Sequence, residues 1–108
     1  MSFVTLAQLP PRAIFGGAIQ GHYAHLDRLT VGEVVLAAGT DVPLHHHPHE
    51  QVTYVIAGRF RFTVGDRTTV LEPGMAAVIP ADVPHGGTTL TECRVLDVFS
   101  PVRADYRD

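Results

Sequence analysis

Apolar residues along this chain come in short runs broken by polar and turn residues, and the i, i+3, i+4 spacing of an amphipathic helix is nearly absent. The runs Leu29–Ala37, Val52–Ala57, Arg59–Val64, Thr68–Leu71, Met75–Ile79 and Thr91–Phe99 are rich in Val, Ile, Thr, Phe or Tyr and predict strands. Phe60, Phe62 and Val64 alternate with Arg61 and Thr63, the period of a strand with one face inward. Turn residues separate the runs at Gly39-Thr40-Asp41, Ala57-Gly58, Gly65-Asp66, Glu72-Pro73-Gly74, Pro80-Ala81-Asp82 and Gly86-Gly87. Many short strands with such punctuation predict an all-β sandwich or barrel. Residues 1–20, with Pro10-Pro11 and Gly16-Gly17, are less regular and read as an N-terminal arm or edge strand.

Composition narrows the class. At 108 residues the chain makes one domain, 1–108, large enough to bury roughly two-thirds of its unfolded surface. An apolar fraction of 45% and a charged fraction of 18% fit a compact fold and not a disordered one. The net charge is −3 with acids and bases scattered, so no basic stripe offers itself to nucleic acid. No apolar run approaches the length of a membrane span, and no secretion signal is evident. A single cysteine, Cys93, suits a reducing compartment, and the cytoplasm is the expected location. The outlier is histidine: of seven, four fall within His45–His49.

In a strand, residues i and i+2 share a face, so His45 and His47 project together while His46 points away. Two such imidazoles can converge on one cation. Gln51 shares their parity beyond a bend at Pro48. Glu50 is the better ligand by chemistry but has the wrong parity if the strand resumes there, and His49 sits in the bend; the fourth position lies among these three. A further imidazole, His85, follows Pro80 and Pro84, whose rings limit the backbone and favour a fixed ligand position. A solvated loop is the plain alternative, but the cluster lies mid-chain between a turn and a strong strand. His22 and His25 receive no role, and Tyr54, of opposite parity to Gln51, reads as packing outside the mouth.

These residues resemble the cupin superfamily. Gly39, His45, His47, Gln51 and Gly58 fall into the spacing of its first motif, and Gly65, Pro73-Gly74, Pro80 and His85 into its second, together spanning residues 39–89. The resemblance implies a single-domain jelly-roll β-barrel with a divalent metal ion on His45, His47, Gln51 and His85. Two departures stand out: Gln51 replaces the usual Glu, and Thr89 replaces the usual Asn. The runs His45–Gln51, Ile79–His85 and Leu96–Arg103 look like the pectin-degradation cupins called KdgF, which linearise 4,5-unsaturated uronic acids to 4-deoxy-5-keto uronates. That implies a small anionic carbohydrate as substrate, Asp97 as acid/base, and Phe99 and Arg103 as substrate-binding residues. Cupin relatives also imply a homodimer, for which the apolar stretch Ile14–Ile19 is available.

The ligand types carry their own chemistry. Three imidazoles and an amide are neutral, so the cation keeps its full charge and acts as a strong Lewis acid on an anionic substrate. The same set disfavours a trivalent ion and argues against oxygen activation. Zinc, nickel, iron and manganese all remain compatible. Asp97 shares a strand face with Val95 and Phe99; facing a barrel interior, burial would raise its pKa while a metal's charge would lower it. Arg103 follows Pro101, from where it can reach over a barrel mouth and fork onto a carboxylate. The rival functions are a metal-dependent dioxygenase of a small organic substrate and a non-catalytic small-ligand-binding domain.

Overall fold

The structure, a computed structural model, describes residues 2–107; Met1 and Asp108 lie outside the described residues. Among the described residues there are ten strands: β1 (Arg12–Ile14), β2 (Ile19–His25), β3 (Thr30–Leu36), β4 (Asp41–His45), β5 (Glu50–Ala57), β6 (Phe60–Val64), β7 (Arg67–Leu71), β8 (Ala76–Ile79), β9 (His85–Thr89) and β10 (Cys93–Ser100). They form two antiparallel sheets, one in the order β1-β2-β3-β10-β5-β8 and the other β4-β9-β6-β7. This is the all-β jelly-roll barrel, with the two sheets closing around one core. Among the described residues no helix is long and apolar enough to cross a membrane.

Register decides what faces inward. Across the larger sheet, His25, Thr30, Phe99, Gln51 and Ile79 lie side by side in one row, and Tyr23, Gly32, Asp97, Thr53 and Ala77 in the next. A third row, Gly21, Val34, Val95 and Val55, lies deeper and is fully buried. The smaller sheet contributes Phe60 and Phe62, 2% and 5% exposed, with their rings edge to face at 5.2 Å. The core joins these to Leu36, Leu71, Ile19 and Ile79.

The predicted strands all occur, with ends shifted by one or two residues. The structure adds three that the pattern did not single out. β2 was hidden because Gly21 and His22 interrupt its apolar run. Gly21 and Gly32 leave the space that the Tyr23 ring fills, since a side chain at either position would collide with it. β4 is short and ends at His45. β9 overturns the reading of Gly86-Gly87 as a turn. Both glycines sit inside the strand, where a side chain at Gly87 would strike the Arg61 carbonyl oxygen and one at Gly86 would lie 2.7 Å from the Val42 carbonyl oxygen. Here glycine permits close approach of neighbouring backbones instead of a reversal. The segment 1–20 supplies a genuine edge strand, β1, paired only with β2. Its apolar stretch turns inward: Ile19 is 3% exposed, and Ile14 and Phe15 pack against the core.

The outer face of the larger sheet departs from the usual polar exterior. Ala24, Val31, Val98, Val52 and Val78 form one outward row across five strands. Tyr54 belongs to this outer surface, 42% exposed, and not to any packed interior.

Candidate metal centre and barrel mouth

Four segments meet at one end of the barrel. β4 brings His45, β9 brings His85 directly opposite it in register, and β5 brings Gln51. His47 lies on the loop after β4 and not on a strand with His45, yet its ring comes to 5.7 Å from that of His45 and 4.8 Å from that of His85. The His45 and His85 rings are 4.2 Å apart. Ligand atoms of the three histidines all lie within 4.8 Å of one another. His46 and Glu50 point to solvent.

The three imidazoles are oriented in the same way. Nδ1 of His45 lies 2.7 Å from the Pro43 carbonyl, Nδ1 of His47 3.0 Å from that of His49, and Nδ1 of His85 2.9 Å from that of Val83. Each carbonyl can only accept, so each Nδ1 carries the proton and each Nε2 presents a lone pair. Burial pushes the pKa of His85 down to about 4 and lowers that of His45, keeping both rings neutral.

The donor set fits a divalent cation on two observations. His85 Nε2 is buried with no hydrogen-bond partner among the described residues. With its proton on Nδ1, as a metal ligand requires, His47 Nε2 meets Gln51 Oε1 lone pair to lone pair at 2.9 Å. Two acceptors at that spacing repel unless a cation joins them, and adjacent ligands on a metal with bonds near 2.1 Å are about 3.0 Å apart. His45, His47, Gln51 and His85 are thus the residues able to hold one.

Gln51 uses its other end differently. Its Nε2 donates to Thr53 Oγ1 at 2.8 Å and approaches Asp97 Oδ1 at 3.5 Å, while the Thr53 hydroxyl donates to Asp97 Oδ1 at 2.6 Å. Asp97 faces the interior. Desolvation pushes its pKa up to about 6, against the opposing pull of the Thr53 and Gln51 hydrogen bonds and the charge of Arg103.

Arg103 closes the mouth from the C-terminal tail. It is only 8% exposed, with its guanidinium 4.8 Å from the centre of the Phe99 ring and 4.0 Å from that of Tyr106. Its backbone N–H donates to Thr30 Oγ1 at 2.9 Å. Phe99 also stands edge-on to His47 at 5.9 Å. A cavity of about 50 Å³ is lined by His45, Gln51, His85, Asp97, Phe99 and Arg103 on its polar side. Its opposite wall is apolar, with Val34, Leu36, Phe60, Phe62 and Val95.

A family model described as a cupin domain matches residues 32–99. The chain belongs to the cupin family. It is 39% identical over 71 residues to the pectin degradation protein KdgF of Dickeya dadantii, a match covering 65% of this chain and 63% of that protein, so less than two-thirds of the relative is spanned. An uncharacterized protein of Streptomyces coelicolor is 39% identical over 74 residues, covering 68% of this chain and 70% of the relative. Among solved structures, KdgF from Halomonas sp. superposes with a TM-score of 0.87 at 31% identity, covering 96% of this chain and 98% of its own. An RmlC-like cupin from Shewanella frigidimarina gives 0.89 at 28% identity, covering 99% and 96%.

Within this cupin scaffold, four residues at the mouth escaped the sequence pattern. Thr53 was discoverable in principle, being two residues beyond Gln51 on the same strand face. Thr30 was not, because only the fold-back of the tail brings Arg103 to it; Asp105 and Tyr106 lie two and three residues beyond Arg103 on one short turn, which no periodic pattern marks. Thr89, standing where Asn is usual, is structural: its hydroxyl donates to the Ala37 carbonyl at 2.7 Å and accepts from the Thr40 N–H at 2.8 Å.

Proposed function

We propose that this cupin is a metal-dependent enzyme that linearises 4,5-unsaturated uronic acids to 4-deoxy-5-keto uronates. Likeness to the two KdgF proteins supports the reading. The observation that carries it is the double role of Gln51, whose Oε1 faces His47 while its Nε2 reaches Thr53 and Asp97. A cation-binding end and a proton-carrying end of one cavity are thereby joined through a single neutral side chain. A glutamate there would set a second carboxylate against Asp97.

A divalent cation at His45, His47, Gln51 and His85 supplies Lewis acidity toward an anionic oxygen of the substrate. Arg103 takes the substrate carboxylate through its guanidinium, and the Phe99 ring supports both the guanidinium and the sugar. The cyclic substrate is a hemiacetal carrying an enol ether. Asp97, ionised, takes the proton of the C1 hydroxyl as the C1–ring oxygen bond breaks, which leaves an aldehyde at C1 and an enolate at C5. It then returns that proton to C4, completing the ketone with no net proton consumed. A carboxyl with a pKa near 6 suits both directions of transfer. The Thr53 hydroxyl fixes which carboxylate oxygen turns toward the substrate.

The proposed partners are this small anionic carbohydrate and a second copy of the chain. The apolar outer row from Ala24 to Val78, in place of the inward-turned Ile14–Ile19, is the surface that supports a homodimer. Light scattering returning the monomer mass would remove that part of the proposal.

Addition of metal-loaded protein to a lyase digest of pectin or alginate should abolish the absorbance of the unsaturated acid. An unchanged rate of loss sinks the assignment. A second reading, a dioxygenase of a small organic substrate, draws on the apolar wall beneath the histidines, which suits a small neutral molecule such as dioxygen. It requires oxygen uptake by the iron-loaded protein.

A further inference from the structure

Arg103, assigned above to a substrate carboxylate, already holds a carboxylate of its own chain. Asp105 Oδ1 lies 3.0 Å from Arg103 Nε and Oδ2 2.7 Å from Nη2, the bidentate fork that a bound uronate would need. The two partners are unequally placed: the Arg103 side chain is 10% exposed and that of Asp105 57%. A buried cation is thus capped by an anion that reaches in from solvent. We propose that Asp105 is a resident competitor for the anion site, so that an incoming carboxylate must displace it from Arg103. This rests on the assignment of Arg103 to the substrate's anionic group.

Arg103 does not depend on Asp105 for its position. Its guanidinium lies between Phe99 and Tyr106, and its backbone is tied to Thr30. Asp105 therefore occupies the guanidinium more than it places it. Displacement is asymmetric in cost. Asp105 can swing into water and stay solvated, whereas Arg103, left without a partner, would be a buried unpaired charge. An arriving carboxylate removes that penalty, so exchange of one carboxylate for another is the favoured route. The segment that must give way is short. The turn Ala104–Tyr106 is held by backbone bonds from Tyr106 N to Arg103 O at 2.9 Å and from Arg107 N to Ala104 O at 3.2 Å. Arg12 Nη2 adds a bond to the Asp105 carbonyl at 2.5 Å. The cavity of about 50 Å³ holds a few waters and not a hexuronate, so a sugar that reaches Asp97 has to open the mouth. Breaking the Asp105–Arg103 fork frees the Arg103 donors for an incoming carboxylate. Asp105 would accordingly set the affinity for anions, while neutral sugars, which make no use of the Arg103 fork, would be indifferent to it.

The test is calorimetric titration of D-galacturonate, a saturated uronate that cannot undergo the ring-opening reaction, and of D-galactose, its neutral counterpart. Wild type, Asp105→Asn, Asp105→Glu and Arg103→Ala are compared in the metal-loaded protein, with turnover of the unsaturated uronate measured alongside. Asp105→Asn should bind galacturonate up to about fivefold more tightly, the worth of an ion pair with one exposed partner. Its KM should fall while kcat does not rise, Asp105→Glu should return to the wild-type values, and galactose binding should not change. Weaker or unchanged galacturonate binding in Asp105→Asn overturns the proposal and leaves the functional reading standing, provided wild type still turns over the unsaturated acid. Turnover that is absent in wild type, with galacturonate binding indifferent to Arg103→Ala, defeats the functional reading and this inference together.

Discussion

At the mouth of the barrel, the inward positions of β5 and β10 carry Gln51, Thr53, Asp97 and Phe99; one row deeper, the same strands carry Val55 and Val95. The smaller sheet changes in the same direction, from His45 and His85 at the mouth to Phe60 and Phe62 within. The two halves therefore share backbone, register and barrel curvature, and differ only in side chains. The inner half removes apolar surface from water, roughly 1.5–3 kcal/mol for each large side chain, and is apolar apart from the unpartnered Tyr23 hydroxyl over Gly21. The outer half does the opposite. It buries a carboxyl whose pKa is raised, a histidine nitrogen without a partner and two facing acceptors. Each of these works against the fold and serves a ligand. The comparison teaches that the floor holds the barrel together and the mouth is kept polar for binding.

Several substitutions can break or sharpen that contrast. The largest effect is expected at His85→Leu, which removes a ligand at similar volume; turnover of the unsaturated uronate should fall below detection with the circular dichroism of the fold retained. Asp97→Asn should lower kcat by about 10²–10⁴-fold, the usual worth of a positioned acid/base, and leave metal content unchanged. Metal loss in that variant would show the two ends of the cavity to be less separable than described. At the floor, Phe60→Ala should cost about 3–5 kcal/mol in denaturant unfolding. A loss of activity without a loss of stability there would erase the division between the halves.

The mouth should also show its cost to the fold. Asp97 has a raised folded-state pKa, so its contribution to stability is full below the ordinary carboxylate value, where it is neutral in both states, and is lost as pH rises through about 6. In metal-free protein, Asp97→Asn should therefore gain up to about 3 kcal/mol at pH 8 and almost nothing at pH 3, read from thermal unfolding. The smallest effect is expected at Thr53→Val. It removes the hydrogen bond that lowers the Asp97 pKa, so the acid limb of the rate profile should move to higher pH, with kcat down about tenfold. An unmoved limb would mean that Thr53 only fills space.

Much of this was legible in the chain because local pattern and long-range register happened to agree. The alternation of Phe60, Phe62 and Val64 on β6 survives intact, since a strand half-exposed on one face needs no other information. His45, Gln51 and His85 could be read from parity and flanking prolines. His47 reached the same point by a different route, through a loop bent at Pro48, so the parity rule was right in outcome and wrong in geometry. Gly86 and Gly87 misled because glycine signals either a turn or a close backbone approach, and only the neighbouring strand decides which. Tyr54 was placed outside the mouth from its parity opposite to Gln51, which holds, but the face it occupies is exposed and not packed. Tyr106 was invisible for a physical reason: its contacts with Phe99 and Tyr23 come from the fold-back of the tail over β2 and β10, which no local spacing records. Asp105 sits only two residues from Arg103, but a short turn leaves no periodic pattern to mark the pair.

Everything proposed for the mouth depends on a cation held by His45, His47, Gln51 and His85. Its most direct test is titration of nickel or zinc into untagged, metal-free protein, with the His47→Ala variant beside it. Wild type should take up one ion per chain, and the variant should lose tight binding. Equal metal uptake by both proteins, or none by either, would contradict it.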